Sequence, residues 1–163
     1  MADENGNGAR SDGGRGETDH ERIDRELIEL LNELQVALPG VQVLFAFLLA
    51  VPFTQRFRQL TDGQEYMFFF SLLCTTFGSV LLIAPSAYHR LRFREHDKER
   101  MLITANRLAI AGTIFLAFAM TSAVYLVTDL VFHTTLTVII TALTAGAFAW
   151  FWYGLPLMRK TQD

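Results

Sequence analysis

Charged side chains are missing from four long stretches of this chain: residues 34–55, 66–88, 108–128 and, leaving His133 aside, 130–158. At about 1.5 Å of rise per residue, roughly 20 apolar residues in a helix cross the ~30 Å hydrocarbon layer of a bilayer. Each stretch reaches that length. A chain of 163 residues with 51% hydrophobic and only 19% charged side chains is also too apolar for an ordinary small soluble domain. The expected fold class is therefore an all-α integral membrane protein with four transmembrane helices, at about 38–55, 66–88, 102–128 and 131–154. The last two need separating, because residues 102–153 are nearly continuously apolar. A carboxylate at mid-depth is costly, so the chain is expected to turn at Asp129, giving a tight hairpin.

Residues 1–20 lack the apolar core of a cleavable signal, and their glycines are interspersed with Asp, Glu, Asn and Arg. They read as a disordered tail, with residues 159–163 as a short C-terminal one. Basic residues then set the orientation. Arg22, Arg25, Arg90, Arg92, Arg94, Lys98, Arg100, Arg159 and Lys160 flank one side of the spans, against Arg56 and Arg58 on the other. This bias of nine to two places both termini and the 88–101 loop in the cytoplasm. A net charge of −3 argues against nucleic acid as a partner. The expected partner is membrane lipid, and a transport role would call for a homo-oligomer. Cys74 is alone, so no internal disulfide forms.

Ahead of the first span, Ile23, Leu27, Leu30, Leu31, Leu34 and Leu38 recur at three- and four-residue steps, while Asp24, Glu26, Glu29, Asn32 and Glu33 take the other side. Residues 21–38 therefore read as an amphipathic cytoplasmic helix. Its polar face is acidic, the opposite of a helix made for anionic lipid, and its expected contact is the basic 88–101 loop. Pro39 lacks an amide proton, so the amphipathic helix is expected to kink or stop there, with the membrane domain covering 39–158. Pro85, just ahead of the charged loop, reads as helix termination.

Ion pumps need ionisable groups in the hydrocarbon zone. Here Glu33, His89, Arg107, Asp129 and His133 all lie near span ends, leaving Gln42 and a set of hydroxyls inside. The positions a transport path would have to use are thus Pro39, Gln42, His89 and Asp129. Ser71, Thr75 and Gly78 or Ser79 share a face of span 2. Ala105, Ala109 and Gly112 mark span 3, and Thr134, Thr137, Thr141 and Thr144 share a face of span 4. Small and hydroxyl residues at such spacing serve close helix contact. His89 and His96, seven residues and about 10 Å apart on a helix, are too distant to share a metal ion, so no metal site and no cofactor is expected. No nucleophile elbow, phosphate loop or dinucleotide fingerprint occurs, and the expectation is that the chain is not an enzyme. Trp150–Tyr153, followed by Arg159 and Lys160, reads as an interfacial aromatic belt. Arg107, about 9 Å into span 3, needs an acceptor or must snorkel. Glu33, and with it Glu29, is expected to pair with Arg107, with Asn106 completing the hydrogen bonds.

Four strings, "LLNELQVALPGVQVLFAFLLAVPF", "LLIAPSAYHRLRFR", "KERMLITANRLAIAG" and "WFWYGLPLMRK", resemble a family of small four-span actinobacterial membrane proteins without an established function. Some of these relatives carry the automatic label sodium:proton antiporter. The resemblance covers nearly everything after residue 22 and implies a four-span architecture in the bacterial cell (inner) membrane. The functional expectation is a multi-pass protein acting through assembly or protein contact in the membrane, with a cation or sodium:proton antiporter as the alternative.

The charge bias makes a direct prediction. In a Cys74→Ala background, Leu60→Cys is expected to react with an impermeant thiol reagent from outside intact cells, and Glu95→Cys only after permeabilisation. The reverse pattern would invert the topology.

Overall fold

The computed structural model describes residues 19–91, 98–132, 134–155 and 158. Four helices carry nearly all of them: α1 (Asp19–Ala50), α2 (Asp62–Leu91), α3 (Lys98–Phe132) and α4 (Thr135–Phe148), the last continuing as a π-helical turn over Ala149–Gly154. Two short 3₁₀ turns, Val51–Phe53 and Gln55–Gln59, connect α1 to α2. Four segments are long and apolar enough to cross a membrane: Glu21–Phe53, Asp62–Ala87, Arg100–Phe132 and Thr135–Gly154. The protein is an all-α, four-helix membrane protein.

The buried positions explain how the helices meet. On α1 they are Leu27, Leu34, Val41 and Leu48, seven residues apart throughout. On α2 Gln64, Phe68, Ser71, Thr75, Gly78, Leu82 and Pro85 follow alternating steps of four and three, with Cys74 buried beside Thr75. On α3, Ala105, Gly112, Leu116, Ala119 and Leu126 keep the same rhythm, with half-buried Ala109 and Ala123 completing it, and Ser122 and Thr128 are buried beside this seam. A 3.5-residue period keeps one seam facing a neighbour along the whole helix and is the pattern of left-handed helix packing. Two apolar layers result. Leu34 and Val41 of α1 meet Leu82 of α2 and Leu116 of α3, and nearer the 51–61 connection Leu48 meets Phe68 and Leu126. Phe57, from the connecting turn, closes that layer edge-on against Phe68, with ring centroids 5.1 Å apart.

Lipid is as apolar as leucine, so helices in it are held by close packing and hydrogen bonds more than by solvent exclusion. The α2–α3 pair meets this condition with glycine. A Cβ on Gly78 would lie 3.3 Å from the Gly112 carbonyl oxygen, and one on Gly112 would lie 2.8 Å from Leu82 Cγ. Both backbones come together where neither residue has a side chain. Helix α1 packs on α2 and α3, whereas α4 packs on α3 and buries only Thr137.

Three boundaries differ from expectation. The amphipathic segment does not end at Pro39; it and the first span form one 32-residue helix. Pro39 faces outward, while Val41, two residues on, is fully buried. Unravelling there would expose several backbone amides to hydrocarbon, whereas one proline costs a single helical hydrogen bond. The same reasoning carries α2 through buried Pro85 to Leu91. Third, α3 does not turn at Asp129 but runs on to Phe132, and Thr134 adopts the extended backbone that starts α4. The tail of residues 1–18 and the basic loop residues 92–97 lie outside the described residues, as does the expected contact between that loop and α1.

The glycine contact is testable. Gly112→Ala is expected to lower stability in detergent by about 1–3 kcal/mol, since the fully buried Leu82 has no room to retreat. Gly146→Ala, whose Cβ would meet nothing within 4 Å, is expected to stay within about 0.5 kcal/mol of wild type. Reversible unfolding in mixed micelles measures both.

Candidate functional site

The densest polar arrangement lies where α2 begins and α3 ends. Thr61 and Gln64 form a reciprocal capping box. The Gln64 amide donates to Thr61 Oγ1 (3.4 Å) and the Thr61 amide to Gln64 Oε1 (3.1 Å). The Glu65 amide is bonded to the Thr61 carbonyl at 2.9 Å. With its oxygen fixed by the cap, the Gln64 side chain has its Nε2 free to reach across the interface, where it donates to Asp129 Oδ2 at 2.7 Å. Gln64 is 5% exposed, so this is a buried donor to a carboxylate, the stronger kind of hydrogen bond. The bond explains why α3 holds a carboxylate in its last turn without unwinding. Asp62 and Glu65, in the first turn of α2, suit the positive end of its dipole. With Tyr66 and Phe69 they line a shallow open cavity of about 170 Å³ on the outer side of that helix.

Deeper in the bundle the polar groups are hydroxyls. Ser71 Oγ donates across the interface to the Ala119 carbonyl of α3 at 2.9 Å, and Ser122 Oγ reaches the same carbonyl at 3.0 Å. Thr75, Thr76 and Ser79 each bond to the carbonyl four residues back, at 2.8 Å. This is the ordinary way for hydroxyls to be satisfied in a helix within an apolar medium. In α4 the expected Thr face does turn toward the bundle at Thr137, Thr141 and Thr144, while Thr134 is exposed. Thr144 bonds to the Ile140 carbonyl, and the buried Oγ1 atoms of Thr137 and Thr141 have no partner. The π turn is tied to α3 by a 2.9 Å hydrogen bond between Tyr153 Oη and Thr113 Oγ1, and Trp150, Phe151 and Trp152 point outward around it.

The expected clamp between α1 and α3 is not formed. Glu33, Asn106 and Arg107 are all exposed, and no ion pair among the described residues joins Glu33 to Arg107. Helical phase is the reason. At about 100° per residue, Glu33 is one step off the buried Leu34 and Arg107 two steps off the buried Ala105, so both side chains leave the α1–α3 contact. Glu29 instead lies 3.8 Å from Arg25 on the same exposed face, and Arg22 Nε donates to Glu26 at 2.8 Å. Exposed pairs of this kind contribute little. Gln42 and Pro39 face outward from α1. The backbone of His89 belongs to α2, and its side chain lies outside the described residues. Among the expected positions whose side chains are described, Asp129 alone is brought into a polar contact between helices, with the buried Gln64. Its partner, Gln64, escaped the sequence reading, although the T-x-x-Q spacing of Thr61 and Gln64 is a legible capping signal. Among the described residues no group of three or more His, Cys, Asp and Glu is placed to hold a metal ion.

Residues 16–156 match one protein family over most of the chain. The chain belongs to the DUF6328 family, a family of unknown function. No curated protein and no solved structure matches it. The DUF6328 match therefore brings an architecture-wide kinship and no activity with it.

Cutting the Gln64–Asp129 bond measures what it holds. Gln64→Leu is expected to cost about 1–3 kcal/mol by leaving the carboxylate without its donor, and Asp129→Asn, which keeps an acceptor, less. A double-mutant cycle in detergent is expected to show coupling of at least about 0.5 kcal/mol, and additivity would mean the two helix ends are held by other contacts.

Proposed function

We propose that this DUF6328 protein has no enzymatic activity and acts through assembly or protein contact within a bacterial cell membrane, with both termini cytoplasmic. The observation that carries the reading is the content of the bundle. Its buried polar side chains among the described residues are Gln64, Ser71, Thr75, Ser122, Thr128 and Thr137, none of them charged. Four of these six are hydrogen-bonded within or between helices. A proton-coupled exchanger needs an ionisable group that alternates between proton and cation along a path through the membrane. The interior between α2 and α3 is instead filled by glycine, alanine, leucine and phenylalanine, with hydroxyls bonded to helix carbonyls. What the fold leaves available is its outer surface: α4 buries one residue, and much of α1 beyond its heptad seam faces outward.

The exchange alternative has Asp129 to build on, a carboxylate held by a neutral donor at one end of α2 and α3. One experiment separates the two readings. The full chain in liposomes is expected to give no sodium-driven proton movement above protein-free liposomes after sodium or pH jumps. Reproducible proton-coupled sodium flux that Asp129→Asn abolishes would overturn the assembly reading in favour of exchange.

A further inference from the structure

The outward side of α1 carries a second heptad. Gln35, Pro39, Gln42, Ala46 and Leu49, preceded by Asn32, follow alternating steps of four and three, and every one of them is exposed. At about 100° per residue Gln35, Gln42 and Leu49 lie about 100° round the helix from Leu34, Val41 and Leu48 of the seam that faces α2 and α3, and Asn32, Pro39 and Ala46 about 160° from it. The outward side of α1 is exposed throughout, and within it this stripe carries the carboxamides Asn32, Gln35 and Gln42, beside the apolar Val36, Val43 and Phe47.

Depth makes the second face unusual. Gln42 is nine residues, or about 13 Å, beyond Glu33, the last charge before the span, and fourteen residues before Arg56. In a ~30 Å hydrocarbon layer that is close to the middle, too far from either surface for a glutamine side chain to snorkel. Among the described residues none hydrogen-bonds to its carboxamide. Pro39, on the same stripe, removes the amide that would serve the Gln35 carbonyl, adding an acceptor to this face. Ala46 on the stripe is small, so another helix could approach closely there.

We infer that the Asn32–Gln35–Pro39–Gln42–Ala46–Leu49 stripe of α1 is the interface for a second copy of this chain, with Gln42 paired to Gln42 of that copy. This rests on the assembly reading above and names its surface. The occupant follows from the chemistry. A carboxamide both donates and accepts, so it is its own complement. Two copies inserted in the same direction place Gln42 at the same depth without further design, and a two-fold axis along the membrane normal brings the same stripe of each to the contact. The 3.5-residue period is the one that lets two parallel helices stay in register over the length of the span.

The test uses the full chain with Cys74→Ala. Ala46→Cys, on the stripe, is expected to form a disulfide-linked dimer in oxidised membranes, whereas Met120→Cys on α3 and Val138→Cys on α4, both outward-facing, are not. In liposomes diluted with lipid, energy transfer between labelled copies is expected to need about five- to tenfold more protein per lipid for Gln42→Leu. Gln42→Asn, which keeps the carboxamide, is expected to stay within about twofold. Since Gln42 contacts no core residue, neither variant is expected to change unfolding of the single chain. Linking through Met120→Cys or Val138→Cys but not Ala46→Cys would reject the α1 stripe and leave the assembly reading standing. Gln42→Leu dimerising like wild type would reject the carboxamide pair. A chain that is monomeric at every lipid ratio and extracts from its native membrane as a single copy would overturn both.

Discussion

The close approach of α2 and α3 at Gly78 and Gly112 is the contact on which the rest of the bundle depends. With Leu82 set directly over Gly112, the two backbones lie near enough for Ser71 to reach the carbonyl of Ala119 on the facing helix. In lipid, where apolar side chains gain little by leaving their surroundings for each other, such tight contact and a shared hydrogen bond are what distinguish the right partner from any other helix. The groove formed by the pair then takes α1, whose Leu34 and Val41 meet Leu82 and Leu116. Helix α4 packs on α3, and its far end is tied by Tyr153 and Thr113.

Polar groups in this protein are handled according to depth. The Arg22–Glu26 and Arg25–Glu29 pairs lie on the exposed N-terminal part of α1. At the 51–61 end, one buried glutamine caps α2 with its oxygen and holds Asp129 with its nitrogen, so two helix ends are satisfied by a single side chain. Inside, serines and threonines bond to carbonyls of their own helix or the next. Gln42 departs from this economy. It is the carboxamide on the outward surface near mid-span, and a polar group turned toward hydrocarbon points to a contact made beyond the single chain.

Much of this was legible in the sequence. Four charge-free stretches announced four helices, and the small residues of spans 2 and 3 marked the faces that meet, because close helix contact in lipid demands those residue types. Pro39 misled because local propensity favours a break, while the surrounding hydrocarbon penalises broken backbone more strongly. Asp129 misled for a related reason: a carboxylate is costly only when unpaired, and the donor that satisfies it is 65 residues away in the chain. The Glu33–Arg107 clamp was inferred from depth alone. Depth placed the two charges on one side of the membrane, but helical phase, fixed by the Leu27–Leu48 and Ala105–Leu126 seams, turned them away from each other.

The central claim, that 3.5-residue seams on α1, α2 and α3 build the bundle, is tested most directly by an oxygen-accessibility scan along α3 in lipid bilayers. Single spin labels at successive positions from 104 to 127, with Cys74 replaced, would report which side of the helix faces lipid. Minima are predicted at Ala105, Gly112, Leu116, Ala119, Ser122 and Leu126, with a shallower one at Ala109, and maxima at Ile110, Phe118 and Val127. A profile without a period, or one whose minima fall at Arg107, Ile114 and Val127, would contradict it.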